Sequence, residues 1–347
     1  MIDLQQSKIK VDLSGIPQTS LLILYGRAKV SKEHGSLFND EKALELVERL
    51  DYDFSTEKAI TDYLLFASAA RAMQFDNKVK EYITKHPLAS VVNLGAGFET
   101  EFYRTDNGKI RWYDLDLPEL IEIRKQLLPE TDRSTCIAKS FLDPGWCKDV
   151  NTQNGVLIIA CGLLRYFDEA KVRQLFLLLA DHFPGCEVVF DIESKSSSDA
   201  DGGGYGAGWS NDEPEKRGAM LAERFKSFKN AWKAIPQSLK DKVLGTLTTA
   251  TKPIGTEWVD IEIWWNKLNA QEKSKAMHEF GTSLGITCKW ALDDANEMTK
   301  WDDRIKVVEQ FSIFKNIPRD PSLSTSIRQF MNYTDEKGRM KIIHLRA

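Results

Sequence analysis

A short glycine-containing loop follows an apolar run in the middle of the chain. The run Ser90-Val-Val-Asn-Leu continues into Gly95-Ala96-Gly97. Small residues at the carboxyl end of a parallel strand let the backbone approach a ligand, so we expect Gly95, Ala96 and Gly97 to bind a cofactor. A dinucleotide-binding motif would have a third glycine or alanine where Thr100 stands, which disfavours NAD. An ordinary tight turn is the alternative for this loop.

Two aspartates lie at the end of the next apolar run. The sequence Asp114-Leu-Asp116 places both carboxylates on one side of a strand, because side chains alternate along it. A carboxylate at the end of this strand can accept hydrogen bonds from both hydroxyl groups of a ribose. We expect Asp116 to do so first and Asp114 to be a second cofactor ligand. The alternative is a solvated strand end with an aspartate that caps the helix beginning at Pro118.

A mixed aromatic and polar segment, Ser140-Phe141-Leu142-Asp143, follows the third apolar run. Its ring provides a stacking surface and its carboxylate an acceptor for an amino group, a combination that suits an adenine. We therefore expect Ser140, Phe141 and Asp143 to bind this part of a cofactor. An ordinary capped loop is the alternative.

The fourth apolar run leads into Ala160-Cys161-Gly162, followed by Tyr166. The small residues leave room beside a cofactor, so we expect Cys161 to contact it. Tyr166 can offer a hydroxyl group to a substrate and is a candidate catalytic residue. A tyrosine packed in the core is the alternative.

Arg71 is the second candidate catalytic residue and a further cofactor ligand. Its neighbours in sequence are small or apolar, Ala69 and Ala70 before it and Ala72 and Met73 after it. A guanidinium is costly to bury in such surroundings unless it pairs with a carboxylate. The partner is a carboxylate of a ligand or, alternatively, an aspartate or glutamate of the protein.

A parallel sheet is needed to position these residues, and the sequence indicates one. Short β-branched or apolar runs alternate with helical patterns from about Val91 to Ile192, which is typical of βαβ units. The five runs are 90–94, 110–114, 135–138, 155–160 and 186–192. Two further runs, 305–311 and 340–345, predict an antiparallel pair at one edge. The expected fold is therefore α/β, with a seven-stranded sheet.

Helical patterns divide the rest of the chain into regions. Helices are predicted at 40–50, 56–83, 118–128 and 169–182. We expect an N-terminal helical layer at 1–86, a parallel α/β core at 87–196, a helical insertion or lid at 197–270, and a C-terminal part at 271–347 that completes the sheet.

The insertion is rich in aromatic residues and follows a segment rich in glycine and serine, 196–208. One predicted helix face there comprises Leu221, Phe225, Phe228, Trp232 and Ile235. We expect a hinged lid whose aromatic walls over the acceptor pocket come from Trp209, Trp232, Trp264 or Trp265. A permanently packed scaffold and an oligomer interface are the alternatives.

Composition excludes several classes of protein. The 347 residues include 47 lysines and arginines against 51 aspartates and glutamates, a net charge of −4 that disfavours nucleic-acid binding. No apolar run approaches the roughly 20 residues of a membrane span, and the N-terminus lacks the pattern of a signal peptide. The five cysteines and five histidines are scattered, so we expect no metal site. A cytoplasmic protein without a membrane partner is expected.

Several short motifs, taken in order, resemble those of the leucine carboxyl methyltransferase family. Within it they most resemble the branch of polyketide O-methyltransferases similar to the tetracenomycin enzyme. The resemblance covers about residues 20–195 and 275–347. Its motifs are Tyr25-Gly-Arg-Ala28, Phe38-Asn-Asp-Glu-Lys-Ala43, Arg71 to Asp76, Asn93 to Thr100, Tyr113-Asp-Leu-Asp-Leu-Pro118, Gly162-Leu-Leu-Arg-Tyr166 and Trp301 to Val308.

The resemblance implies a class I, Rossmann-like methyltransferase fold, with S-adenosylmethionine as cofactor and S-adenosylhomocysteine as product. It also implies that Arg71 meets a carboxylate of the cofactor or substrate. Gly95 and Gly97 would contact the methionine moiety, Asp116 the ribose, and Phe141 with its neighbours the adenine.

We therefore expect an O-methyltransferase that acts on a carboxylate or hydroxyl group of a small molecule, such as a polyketide-like acid. The alternatives are carboxyl methylation of a protein or peptide, and a non-catalytic cofactor-binding protein, which exposed tryptophans in the insertion would favour. An NAD-dependent oxidoreductase ranks third. The protein-methylating branch resembles this chain but carries an acidic residue where Cys161 stands, and the insertion is longer than the resemblance implies. A monomer or homodimer is expected.

Overall fold

The computed structural model describes most of the chain, including all of the predicted sheet. The described residues are 8–11, 16–54, 62–195, 225, 229, 232–233, 236–269, 271–273, 275–276, 279 and 288–347, the side chains of 16–18 excepted. No helix in this described part is both long enough and apolar enough to cross a membrane.

A seven-stranded mixed sheet forms the centre of the protein, as the sequence predicts. Its strands are β3 (Ser90–Leu94), β4 (Arg111–Asp116), β5 (Ser134–Ala138), β6 (Val156–Ala160), β7 (Glu187–Glu193), β8 (Lys306–Ser312) and β9 (Met340–Arg346). They are arranged in the order β5-β4-β3-β6-β7-β9-β8. The first five are parallel, and β9 pairs antiparallel with both β7 and β8.

The strand order creates a crevice at one edge of the sheet. The chain runs outward from β3 through β4 to β5 and then returns to place β6 on the other side of β3. The loops that leave β3 and β6 therefore diverge, and ligands of open α/β sheets bind where this happens.

Two apolar cores cover the two faces of the sheet. Successive residues of each central strand belong to different cores, Val91 and Leu157 to one and Val92 and Ile158 to the other. β3 and β6 are buried along their whole length, which explains the continuous apolar sequence of β6, and in β3 the polar residues Ser90 and Asn93 are buried as well.

Helices lie around the sheet close to the predicted positions. They are α1 (Ile16–Glu33), α2 (Glu41–Arg49), α3 (Asp62–Lys85), α4 (Glu101–Thr105), α5 (Pro118–Leu127), α6 (Glu169–His182), α7 (Gln237–Thr246), α8 (Trp258–Lys267) and α9 (Thr325–Lys337). Asp40 caps α2 by accepting a hydrogen bond from Ala43 N at 2.9 Å. α3 ends immediately before His86-Pro87, as predicted, and its expected start at residue 56 lies outside the described residues.

The sequence did not predict α1 or the small parallel pair β1 (Ile9–Lys10) and β2 (Leu50–Asp51). α1 packs against both α2 and α3. Buried residues such as Leu24, Gly26 and Val30 therefore occur on several of its sides, and it lacks the single apolar stripe by which an amphipathic helix is recognised.

The insertion has a small core of its own. Trp232, Trp258, Trp264 and Trp265 are all buried there, and the Phe225 ring stacks on Trp265 with 4.1 Å between centroids. Phe225 and Trp232 of the predicted helix face thus pack together in one cluster. The predicted glycine hinge, Trp209, and the other three residues of that face lie outside the described residues.

Candidate active site

A cavity of about 520 Å³ lies at the carboxyl ends of β3, β4, β5 and β6. Sites for small organic ligands commonly have volumes of about 300–1,000 Å³. The structure brings nine of the eleven residues singled out in the sequence to its wall. They are Arg71, Gly95, Ala96, Gly97, Asp116, Ser140, Phe141, Cys161 and Tyr166.

The loop after β3 adopts a backbone that only glycine takes up without strain. Gly95 has a φ of +64° and Gly97 a φ of +47°. A Cβ atom at Gly95 would lie 2.6 Å from Leu163 Cδ1, and one at Gly97 would lie 3.0 Å from Ser20 Cβ. The loop therefore has two walls of the cavity packed directly against it.

Asp116 is fixed beside this loop at the end of β4. Its carboxylate accepts hydrogen bonds from Gly97 N and Leu117 N, both at 2.8 Å. Burial raises the pKa of Asp116 above its usual value, against the effect of these two bonds. A carboxylate has about four lone-pair sites, so two hydrogen bonds leave capacity for hydroxyl groups of a ligand.

Asp114 does not line the cavity, contrary to the expectation from strand alternation. One carboxylate oxygen accepts hydrogen bonds from Asn93 Nδ2 at 3.0 Å and Trp112 Nε1 at 2.9 Å. The other accepts a hydrogen bond from Arg124 at 2.7 Å. Strand alternation predicts on which side of β4 the Asp114 side chain lies, but not how deeply it is buried. Asn93, Trp112 and Arg124 enclose its carboxylate within the protein.

Asp143 also lies outside the cavity wall. Its Oδ1 accepts a hydrogen bond from Gly145 N at 2.8 Å and caps the 3₁₀ helix Pro144–Asp149. The capped loop weighed as the alternative is therefore its observed role. Phe141 does line the cavity and meets Phe167 edge-on, with 4.7 Å between ring centroids. The two rings form an apolar corner beside Ser140.

Arg71 has a protein partner. Its guanidinium pairs with Asp191 of β7 at 3.2 Å, and Asp191 also accepts a hydrogen bond from Gly162 N at 2.5 Å. Gly162 has a φ of +67°, and a Cβ atom there would lie 2.7 Å from the guanidinium. The expected neutralising carboxylate thus comes from a strand far along the chain, while Arg71 still forms part of the cavity wall.

Arg165 and Tyr166 of the short 3₁₀ turn Leu164–Tyr166 also line the cavity, and Leu163 immediately before the turn lies beside the glycine loop of β3. The Arg165 guanidinium lies 5.5 Å from the centroid of the Tyr166 ring and pairs with Glu193. The segment that follows the insertion joins here, because Lys289 N donates a hydrogen bond to Arg165 O at 2.7 Å. The turn that presents Tyr166 is therefore attached to the segment at Lys289, beyond the insertion.

Cys161 lies in the cavity wall between Arg71 and this turn. Burial raises the pKa of its thiol well above the usual value. Thiolates are the nucleophilic form of cysteine, so this side chain is a poor nucleophile. Among the described residues, no group of three or more His, Cys, Asp or Glu side chains is arranged to hold a metal ion.

Sequence reasoning missed the wall that α1 contributes, which includes Ser20, Ile23 and Arg27. Arg27 pairs with Asp40 at 3.1 Å and with Glu99 at 2.9 Å. Burial disfavours the charged form of Glu99. The neighbouring charges of Arg27 and Arg104 nevertheless hold the pKa of Glu99 below its usual value. The glycine of Tyr25-Gly-Arg-Ala28 was the available signal, because a Cβ atom at Gly26 would lie 3.1 Å from Leu65 Cα of α3.

Comparisons with known proteins agree with this fold. The model of the family described as leucine carboxyl methyltransferase matches residues 20–138. The tetracenomycin polyketide synthesis O-methyltransferase TcmP of Streptomyces glaucescens is 31% identical over 182 residues, which are 52% of this chain and 67% of that protein. The S-adenosyl-L-methionine-dependent methyltransferase dpfgK of Gibberella zeae is 28% identical over 201 residues, 53% of this chain and 67% of that protein.

The overall fold has a counterpart among solved structures. A Thermobifida fusca YX protein assigned as a methyltransferase superposes with a TM-score of 0.50 at 12% identity, covering 96% of this chain and 94% of that one. The sheet order and the cavity at its switch point thus define a class I methyltransferase fold. The chain belongs to the leucine carboxyl methyltransferase family. It is an S-adenosylmethionine-dependent methyltransferase, as expected from its motifs.

Proposed function

We propose that the protein transfers a methyl group from S-adenosylmethionine to a carboxylate or phenolic oxygen of a small, largely apolar acid of polyketide type. One observation carries the proposal: Tyr166 and Arg71 line the same cavity as the glycine loop and Asp116. A cofactor held by the loop and the aspartate would then have the tyrosine and the arginine within the same enclosed space.

The cofactor half of the cavity has groups that suit each part of S-adenosylmethionine. The carboxylate of Asp116 would accept hydrogen bonds from the ribose hydroxyls, and the Phe141 and Phe167 rings would enclose the adenine, with Ser140 beside it. The methionine part would lie along Gly95 to Gly97. Arg71 would meet a carboxylate of the cofactor or the acceptor, in addition to its pair with Asp191.

When bound, S-adenosylmethionine supplies an electrophilic methyl group on a positively charged sulfur. The protein then has mainly to align the acceptor oxygen, exclude water and balance charge. A carboxylate acceptor is already ionised and needs no base. For a phenol, the Tyr166 hydroxyl and the Arg71 guanidinium would stabilise the developing anion. The protonated thiol of Cys161 would not compete for the methyl group.

Polyketide acceptors are favoured by the similarity to TcmP, a polyketide O-methyltransferase by name. Carboxyl methylation of a protein or peptide is the second candidate of the sequence analysis, and Cys161 argues against it because the protein-methylating branch has an acidic residue there. A non-catalytic role loses its supporting feature, since the described tryptophans of the insertion, Trp232, Trp258, Trp264 and Trp265, are buried.

The insertion would then influence which acceptor enters. Trp232, Trp264 and Trp265 do not line the cavity, so they are not the aromatic walls expected from the sequence. The contact between Lys289 and Arg165 supports a role through the Tyr166 turn instead. We also place the reaction in a reducing, cytoplasmic compartment, because all five cysteines are free thiols.

The test is methyl transfer from isotopically labelled S-adenosylmethionine to three groups of acceptors, with products identified by mass spectrometry. The groups are aromatic polyketide carboxylic acids, phenols of similar size, and peptides ending in leucine. We expect label on an oxygen of a compound from the first two groups and none on the peptides. Transfer to the peptides alone would refute the proposed acceptor class, and transfer to nitrogen would refute O-methylation.

A further inference from the structure

Arg124 of α5 is a buried side chain that holds the glycine loop without lining the cavity. It is 2% exposed, and its guanidinium donates one hydrogen bond to Gly97 O at 2.8 Å and another to Asp114 at 2.7 Å. Its Nε atom has no hydrogen-bond partner in the described part of the chain. Burying a guanidinium is costly, and the pair with Asp114 offsets part of this cost.

The direction of the Arg124 side chain is itself fixed by Asp114. That carboxylate is held by Asn93 of β3 and by Trp112 two residues earlier on β4. Asp114 therefore connects the two strands that flank the loop to the guanidinium that reaches it. The Asp114 carboxylate thereby orients the planar guanidinium, so that one N–H group donates to Asp114 and another to Gly97 O.

Gly97 is consequently held from both sides. Its N–H donates to Asp116, and its carbonyl accepts from Arg124, each at 2.8 Å. Both backbone groups of Gly97 are committed within the protein, so this residue contributes shape to the cofactor wall. These two contacts hold the left-handed backbone of Gly97, with a φ of +47°, at a place where a Cβ atom would lie 3.0 Å from Ser20 Cβ.

We propose that Arg124, anchored by Asp114, is a positioning residue for the methionine half of the cofactor. It acts through Gly97, whereas Asp116 would contact the ribose directly. The inference rests on the proposed placement of S-adenosylmethionine along Gly95 to Gly97. It gives a positioning role to Asp114, which the sequence suggested as a cofactor ligand. It gives a role also to Arg124, which no sequence motif singled out.

The experiment compares Arg124→Lys with the unaltered protein by calorimetric titration of two probes. S-adenosylhomocysteine has the amino-acid part, and 5′-methylthioadenosine lacks it. Lysine keeps the charge beside Asp114 but cannot make both bonds. We expect binding of S-adenosylhomocysteine to weaken about fivefold or more, the loss typical of one buried hydrogen bond, and that of methylthioadenosine to change by less than about twofold.

Two further variants protect the test against a folding defect. If Arg124→Lys fails to fold, Asp114→Asn tests the same contact, because it removes the carboxylate that anchors the Arg124 guanidinium. It should likewise weaken binding of S-adenosylhomocysteine and leave binding of methylthioadenosine nearly unchanged. Arg49→Lys is the control, because Arg49 donates to Gln126 O and Leu127 O in the last turn of the same helix, which also holds Arg124, and its hydrogen bonds in the described part of the chain do not reach Gly97 or Asp114. It should leave the affinities for both probes unchanged.

The possible outcomes separate this inference from the proposed function. Equal weakening of both probes, or no weakening in a folded Arg124→Lys protein, would overturn the positioning role. Asp116→Ala is titrated in parallel. If that variant also binds S-adenosylhomocysteine normally, the placement of the cofactor is wrong and the inference falls with it. If only Asp116→Ala weakens binding, the placement stands and Arg124 is structural.

Discussion

The two ends of the cavity are held in place by different parts of the chain. The glycine loop is fixed by residues close to it in sequence: Asp116 at the end of the next strand and Arg124 in the following helix. The Tyr166 turn is fixed by Glu193 from β7 and by Lys289, which lies beyond the insertion. The hydrogen bonds of Gly97, at the proposed cofactor end, thus come from one stretch of the chain, residues 97–124, whereas the turn at the proposed acceptor end depends on distant segments.

The largest expected effect tests the tight packing at the cofactor end. Gly95→Ala combines a left-handed backbone with a Cβ atom 2.6 Å from Leu163, so we expect a loss of about 2–4 kcal/mol in unfolding free energy or cofactor binding. Gly108→Ala is the matched control, with a φ of +76° and no atom within 4 Å, and should cost only about 1–2 kcal/mol. Denaturant titration and calorimetry measure both quantities. Equal costs for the two variants would mean that Leu163 moves away freely.

A second prediction separates the two aspartates once expected to bind the cofactor at its ribose and adenine ends. Asp116→Ala should weaken binding of S-adenosylmethionine by about 1–3 kcal/mol, because a charge-assisted hydrogen bond is lost and a ligand donor is left unpaired. Asp143→Ala removes only a cap and should leave that affinity unchanged while lowering stability by about 0.5–2 kcal/mol. Calorimetric titration decides, and weakened binding in Asp143→Ala would restore the adenine contact.

A third prediction concerns the opposite edge of the sheet, away from the cavity. Hydrogen bonds from His344 and Arg346 lower the pKa of Glu187 to about 2. Because this folded-state pKa is below the usual value of 4.5, the stabilisation is complete above about pH 5 and is lost as the pH falls toward 2. Glu187→Gln should remove on the order of 2 kcal/mol at neutral pH and flatten the acid side of the stability curve. An unchanged acid limb in denaturation measured against pH would contradict it.

The smallest expected effect tests the acceptor end. Tyr166→Phe should lower turnover of a phenolic acceptor by about tenfold while leaving S-adenosylmethionine affinity unchanged, because only the hydroxyl group is removed. Turnover of a carboxylate acceptor should change less, since that nucleophile is already charged. Steady-state kinetics with each acceptor, together with calorimetry, measure the contrast. Weaker cofactor binding without an effect on turnover would mean that Tyr166 contacts the cofactor rather than the acceptor.

Local patterns predicted the sheet and the glycine loop because both are set by residues adjacent in sequence. α6 begins and ends at the predicted residues, and Gly95 and Gly97 have the left-handed backbone that their small size suggested. Contacts across the fold were not predictable in the same way. The partner of Arg71 is Asp191, and the Asp114 carboxylate is enclosed by Arg124, which periodicity alone does not reveal. α1 was missed because it is buried on several sides.

The insertion leaves and re-enters the sheet domain at a narrow neck. Lys195 N donates a hydrogen bond to Asp293 at 2.9 Å, and Leu292 N donates to Glu193 O at the same distance. Residues 196–287, which include the insertion, could therefore be exchanged for a segment of another length by recombination, because Lys289, Trp290 and Leu292 would stay in place against the Tyr166 turn and the sheet core. Under the proposal that the insertion influences acceptor choice, such a graft site would let a lineage of these enzymes acquire a new acceptor in one genetic step, without redesigning the part that handles the methyl donor.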